Sequence, residues 1–408
     1  MEIDASHAGQ LTALALVTSV ALLCGLLLIR LRQPAVVGYI LAGVVLGPTG
    51  FGLVSNTETV KTLAELGVIM LLFLIGMELS LRSFKSVYKT ALAATGLQIA
   101  MACGVFFAIG QFLDWSIERV MVFAFATALS STAVAIKMLE ETDDLRTPVG
   151  RTTVSVLIAQ DLAVIPMLLI IDAFGGKGGA EIPTLSIALK LAISIGFLAG
   201  LSWFLSQRSR VTLPLSDWII SKPEVMPLAA MALCFSFATV SGSAGLSPAY
   251  GAFVAGLIIG NSNVRASLHT AAEPIQTILL MVFFLSIGLL INIPFILDHW
   301  KSVLLVLSIV TVLKTVVNVT ILHMLGEPWD RAFHSGVVMG QMGEFSFVLV
   351  ASGLAAQAIS NDGYRLMISV IALSLLISPM WLAIARRLHD LAVRKLVGGL
   401  PPLPPADA

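Results

Sequence analysis

Four places in this chain set polar or charged side chains among apolar neighbours. Gln160-Asp161 lies inside the apolar run 154–166, and Lys314 lies near the middle of the run 303–325. Ser130-Ser131-Thr132 and Gly340-Gln341-Met342-Gly343-Glu344 interrupt two further runs. A charge at the centre of a bilayer costs roughly 3 to over 10 kcal/mol, so a carboxylate kept there points to the handling of ions or protons. An aspartate can hold a proton or a small cation, and holds both at once poorly, and that exclusivity alone is enough for exchange. Unwound helix segments expose carbonyls and hydroxyls that can replace the water shell of a hard monovalent cation. Lys314 is too central in its run to snorkel to an interface. It calls for an acidic partner, and Asp161 and Glu344 both remain open.

Each of these residues also has a plainer reading. Asp161 could be a hydrogen-bonded structural group. Serine and threonine in apolar helices often bond back to their own helix or join neighbouring helices. Glu344 could serve as a helix-end ion pair. Glu65, Glu78, Lys137 and His323 lie toward the ends of their runs, where an interfacial role suffices.

The elements that must position these groups are membrane spans. The chain has 408 residues, 57% hydrophobic and 12% charged, with a mean hydropathy of +0.96. Soluble domains carry about 25% charged residues, so a water-soluble globular enzyme is excluded. Lys+Arg and Asp+Glu balance at 24 each, which gives no bulk charge for a nucleic-acid partner. Cys24, Cys103 and Cys234 all fall in apolar stretches with no CxxC or Cys/His cluster, so neither a disulfide framework nor a metal centre is expected. No HExxH, Ser/His pair or paired intramembrane aspartates appear at useful spacing, so no catalytic residues and no cofactor are expected. The first nine residues lack a basic stretch, so the first apolar run reads as a retained span rather than a cleaved signal.

At about 20 apolar residues per crossing, the sequence predicts about thirteen spans. They fall near 11–29, 34–54, 60–79, 91–112, 120–139, 154–174, 185–205, 225–240, 248–259, 275–291, 303–325, 333–354 and 366–385. The glycine-rich second span is expected to kink near Pro48. With the N-terminus outside, the inner loops hold most of the basic residues, among them Arg30, Arg82, Lys85, Arg146, Arg208 and Arg386. The outer loops hold only Lys61, Arg119, Lys177, Lys301 and Arg365. That asymmetry places the C-terminus in the cytoplasm. Spans one to six and eight to thirteen can then be two inverted halves joined by span seven, a transporter signature with its site on interrupted helices near the midplane. The fifth and twelfth spans, both unusually polar, occupy matching positions in the two halves.

Four stretches carry a resemblance: 128–141 (ALSSTAVAIKMLEE), 159–168 (AQDLAVIPML), 70–84 (MLLFLIGMELSLRSF) and 340–349 (GQMGEFSFVL). Their types and order resemble the membrane domain of Kef-type potassium/proton antiporters, in the monovalent cation:proton antiporter-2 family. The resemblance implies an all-α membrane protein of the sodium/proton antiporter-like fold, with two inverted repeats, crossed discontinuous helices and a homodimeric assembly. It implies a transmembrane exchanger domain over 1–389. Scaffold helices would lie near 11–79 and 225–291 and core helices near 91–174 and 303–385, followed by a cytoplasmic proline-rich tail over 390–408. Asp161 would carry cation and proton alternately, with Gln160, Ser130, Ser131 and Thr132 as further ion-site residues. The crossed helices would lie near Ser130–Thr132 and Gly340–Glu344. Lys314, Glu344 and Gln341 would be the charge partners of the core.

Gln160 resembles the potassium-type pattern, whereas Lys314 is a feature of electrogenic relatives. Kef-type proteins usually continue into a nucleotide-binding domain that senses glutathione adducts. No GxGxxG lies between a strand and a helix here, so glutathione gating is not expected: either the sequence is cut before such a domain, or the transporter stands alone and is regulated otherwise, a cytoplasmic regulatory domain or subunit being one route. The resulting expectation is antiport of K⁺ for H⁺ in the plasma (inner) membrane by an elevator-like movement, one for one and electroneutral. The alternatives are Na⁺/H⁺ antiport on the same scaffold, a Na⁺-coupled organic-solute symporter and a gated channel.

Overall fold

The computed structural model describes residues 2–31, 33, 35–53, 57–78, 88–174, 196–197, 200–201, 204, 222–244 and 247–397. Span seven falls almost wholly outside these residues, as do Arg82, Lys85 and the end of the proline-rich tail. Among the described residues the chain is helical and has no strand. The helices are α1 (Glu2–Arg30), α2 (Ala35–Leu46), α3 (Thr57–Glu78), α4 (Tyr88–Phe112), α5 (Ile117–Ala128), α6 (Thr132–Glu141) and α7 (Pro148–Phe174). After the undescribed stretch come α8 (Met226–Ser243), α9 (Pro248–Gly260), α10 (Arg265–Leu290), α11 (Ile293–Asp298), α12 (Trp300–Met324), α13 (Trp329–Val338), α14 (Glu344–Ala355) and α15 (Asn361–Val397). Among the described residues six helices are long and apolar enough to cross a membrane unaided: α4, α7, α8, α10, α12 and α15.

Two groups of helices form. In the first, α2 packs on α1 and α10, and α3 packs on α9 and α10. Hydrocarbon supplies no hydrophobic drive between helices, so small residues that allow close backbone approach hold such contacts. At the α3–α9 crossing Gly76 lies against the backbone of Phe253 and Gly256 against that of Phe73. Phe73 and Phe253 are themselves fully buried beside this crossing. In the second group, α4 packs on α5 and α7, α14 packs on α5 and α7, and α12 packs on α13 and α15. Fewer elements bridge the two groups: α9 meets α7, and α2 meets α15. The ring of Phe284 on α10 also meets that of Phe347 on α14 edge-on, with centroids 6.3 Å apart.

The two polar spans are each broken into a pair of short helices. Leu129 and Ser131 are extended between α5 and α6. The Ser131 hydroxyl then accepts the Val134 amide (3.3 Å) and caps the restarted helix. In the other half, residues 339–343 separate α13 from α14, and Gly343 is extended (φ −90°, ψ 165°).

Two boundaries differ from expectation. The second span does not kink at Pro48, because α2 already ends at Leu46 and Pro48 lies in a turn closed by the Gly50 amide on the Gly47 carbonyl (3.0 Å). Helix α15 continues to Val397, past the expected end of the thirteenth span. It tolerates Pro379 because the Ser378 hydroxyl donates to the Leu375 carbonyl (2.8 Å), the group that the missing proline amide would have served.

Candidate functional site: a carboxylate beside two broken helices

The site is assembled where the two breaks cross. The Gly343 amide donates to the Leu129 carbonyl (3.1 Å), joining one break to the other through backbone. A Cβ on Gly343 would lie 2.8 Å from the Ser130 carbonyl oxygen, so only glycine allows this approach. Together the two breaks leave two helix C-terminal ends (α5, α13) and two N-terminal ends (α6, α14) facing the crossing. The C-terminal ends expose carbonyls and partial negative charge, and the N-terminal ends expose amides and partial positive charge.

The charged side chains sort themselves accordingly. Lys314, buried on α12, donates from Nζ to the Leu129 carbonyl and to the Gln341 carbonyl (2.9 Å). Among the described residues no ion pair joins it to a carboxylate. The acidic partner expected from the sequence is thus replaced by carbonyls of the two breaks, whose dipoles supply the negative potential that the ammonium needs. The carboxylates sit at the opposite ends. Asp161 Oδ2 accepts the hydroxyl of Thr132 (3.0 Å), the first residue of α6. Glu344 is the first residue of α14, and its Oε2 is buried without a hydrogen-bond partner. An acid in the first turn of a helix is favoured by the macrodipole.

Asp161 is only partly buried, whereas its neighbour Gln160 is fully buried. Five residues beyond Asp161, Pro166 lies inside α7 and leaves the Leu162 carbonyl without its helical donor. The Asp161 carboxylate and the Thr132 hydroxyl thus lie side by side, close in sequence to a carbonyl that lacks its usual helical donor. These are hard oxygen ligands of the type that alkali cations prefer.

Comparison with known proteins gives this geometry a context. The family described as "Sodium/hydrogen exchanger, transmembrane" matches residues 18–386. The chain belongs to the sodium/hydrogen exchanger family. It is a multi-pass membrane transporter and not an enzyme. It is 48% identical over 386 residues to the "Iron transporter MagA" of Paramagnetospirillum magneticum, covering 95% of this chain and 88% of that protein. It is 33% identical over 364 residues to the "K(+) efflux antiporter 5" of Arabidopsis thaliana, covering 87% of this chain and 63% of that relative's length. Its fold matches the sodium proton antiporter MjNhaP1 of Methanocaldococcus jannaschii with a TM-score of 0.68 at 15% identity, over 92% of this chain and 98% of the other. A second structure of that antiporter gives a TM-score of 0.63 over 99% of this chain. The all-α antiporter fold expected from the sequence is the fold observed.

Within this exchanger fold, the structure brings Asp161 and Thr132 into direct contact and makes Ser131 the cap of α6. Gln341 reaches the same place through its side-chain amide, which donates to the Ser131 carbonyl (3.4 Å). Ser130 and Gln160 face the other way. The Ser130 amide donates to Gln160 Oε1 (2.8 Å), and its hydroxyl donates to the Met339 carbonyl (2.8 Å). Gln160 Nε2 donates to Gln98 Oε1 (2.8 Å), and Gln98 Nε2 donates to Asn318 Oδ1 (3.0 Å). Asn318 Nδ2 completes the series on the Met339 carbonyl (3.0 Å). Gln98 on α4 and Asn318 on α12 are not apparent as site residues from the sequence. The available signal was an uncharged amide deep in each apolar span, which is weaker than an intramembrane charge.

Proposed function

We propose that this protein is a secondary antiporter that exchanges a monovalent cation, K⁺, for H⁺, with Asp161 as the group both ions share. The observation that carries this reading is the pairing of Asp161 with Thr132 at the start of α6, in a partly open position beside two crossed helix breaks. Each ion that leaves Asp161 is replaced by the other, so a single shared carboxylate favours one-for-one, electroneutral exchange. Potassium is favoured by Gln160, where sodium-type relatives carry a second acid, and by the likeness to a plant K(+) efflux antiporter. Alternating access would come from an elevator-like sliding of α4–α7 and α12–α15 against α1–α3 and α8–α10. The sparse bridging between these groups supports that reading. The basic residues of the predicted inner loops favour an outside N-terminus and a cytoplasmic C-terminus in a plasma (inner) membrane, and the protein would act as a homodimer.

A second reading, iron transport, rests on the 48% identity to the iron transporter MagA. Among the described residues no three His, Cys, Asp or Glu side chains converge as transition-metal ligands, and the atoms around Asp161 are hard oxygens. The two readings separate in proteoliposomes loaded with a pH-sensitive dye. K⁺, Na⁺, Li⁺ and ferrous iron are added in turn. Proton movement driven by K⁺ supports the proposal. Movement driven by Na⁺ alone leaves the mechanism and overturns the selectivity, and no movement with any alkali cation overturns the proposal itself.

A further inference from the structure

The amides around Ser130 form a closed circuit. It starts at the Ser130 amide and passes through Gln160, Gln98 and Asn318 to the Met339 carbonyl, which also accepts the Ser130 hydroxyl. The circuit therefore begins and ends on one residue of the first break and closes through a carbonyl of the second. It crosses α4, α7 and α12 on the way. Every side-chain amide in it has both ends in use, and each donor direction follows from the one before it. The Ser130 N–H can only donate, which makes the facing atom of Gln160 its oxygen. That forces Gln160 to donate to Gln98, Gln98 to donate to Asn318, and Asn318 to donate to the carbonyl. No member of the circuit is titratable.

The surroundings make the circuit hard to replace. Gln98, Gln160, Asn318 and Ser130 are all buried. Gln98 and Asn318 also line a recess between α4, α5 and α12, walled by Met101, Val105, Ile309 and Val317. That recess opens toward exposed apolar side chains, Met101 among them. Water is scarce at such a depth, so a broken link leaves its neighbours without substitutes.

We infer that Gln98 and Asn318 are positioning residues for the exchange reaction, locking both helix breaks and Gln160 into one rigid unit that aims Thr132 at Asp161. Gln160 precedes Asp161 and Ser130 lies two residues before Thr132, so the circuit anchors both sides of the Thr132–Asp161 bond. In this arrangement Gln160 contributes to the site by fixing its geometry, with both ends of its amide bonded to protein partners. The inference deepens the antiporter reading and rests on Asp161 as the shared site.

The test is a double-mutant cycle with Gln98→Leu and Asn318→Leu, with Met101→Leu on the same recess as a packing control. Two readouts are taken: the apparent cation KM of proton flux, and hydrogen exchange of the purified protein over a peptide containing Ser130. If the circuit works as a unit, each single variant raises KM by about tenfold, the scale of one buried hydrogen bond. The double variant is then no worse than about twofold beyond the weaker single, because the circuit is already open. Exchange at Ser130 speeds up in the same non-additive pattern, and Met101→Leu behaves as wild type. Effects that multiply in the double variant, or single variants with wild-type KM and protection, overturn the inference. A wild-type protein that moves no protons with any cation overturns the antiporter reading instead, and the exchange pattern at Ser130 still decides whether the circuit exists.

Discussion

Replacing Gly343 with alanine perturbs the crossing at its tightest point. The backbone there is open to alanine (φ −90°, ψ 165°), so torsion is not the obstacle. The new Cβ would lie 2.8 Å from the Ser130 oxygen and 2.9 Å from its carbonyl carbon. Carbon–oxygen contacts settle at about 3.3 Å or more, so the two breaks must part by about 0.5 Å. The Gly343–Leu129 bond, now 3.1 Å, then stretches to the edge of hydrogen-bonding range. A lost buried bond costs about 1 kcal/mol and overpacking about 1–3 kcal/mol, which gives about 2–4 kcal/mol in all. If about a third of that reaches the ion site, the cation KM rises by roughly three- to ninefold. Cation-driven proton flux in proteoliposomes, read beside the melting temperature in detergent, checks both parts. A Gly343→Ala variant with wild-type KM and wild-type melting temperature would refute the claim that the close approach of the breaks shapes the site.

Three further outcomes follow from the same packing and electrostatics. Lys314→Met leaves the Gln341 carbonyl without its ammonium donor and the Leu129 carbonyl with the Gly343 amide alone, so detergent-solubilised protein loses about 1–3 kcal/mol of stability, and Lys314→Arg fails to restore it because a planar fork replaces a compact ammonium; equal melting temperatures for wild type and Lys314→Met would contradict this. Gly256→Ala pushes α9 off the Phe73 backbone of α3, so the protein is expected to elute as aggregate in size-exclusion chromatography rather than as a folded but slow exchanger. Arg386→Gln breaks a 3.0 Å pair with Asp144 whose side chains are both about a quarter exposed; stability should fall by under about 1 kcal/mol, with little left of the difference at high salt and transport intact.

How much of this could be read from the sequence depended on how strongly each residue violates its apolar setting. Asp161 and Lys314 stand out because a charge in hydrocarbon has no bland explanation, and both lie at the crossing. The two breaks were also legible as polar interruptions, because serine and glycine runs cannot hold a helix under hydrocarbon without a reason. The partner of Lys314 was not legible. Sequence shows side-chain charges and hides the dipoles of helix ends, and the ammonium proved to face the carbonyls of Leu129 and Gln341. Gln98 and Asn318 do not stand out in the sequence because a neutral amide in a span is cheap enough to pass as packing. Only the hydrogen-bond directions reveal that both ends of each amide are engaged. The turn at Pro48 looks like a kink in the sequence, which does not tell whether a helix resumes after its proline.

The central claim is that cation and proton compete for Asp161. Its most direct test is the apparent KM for K⁺ in proteoliposomes as the proton concentration is raised, for wild type and for Asp161→Asn. The account predicts that KM rises in proportion to proton concentration at constant maximal rate in the wild type, and that the variant exchanges neither ion. A KM that does not change with proton concentration, or proton-coupled flux that survives in Asp161→Asn, would contradict it.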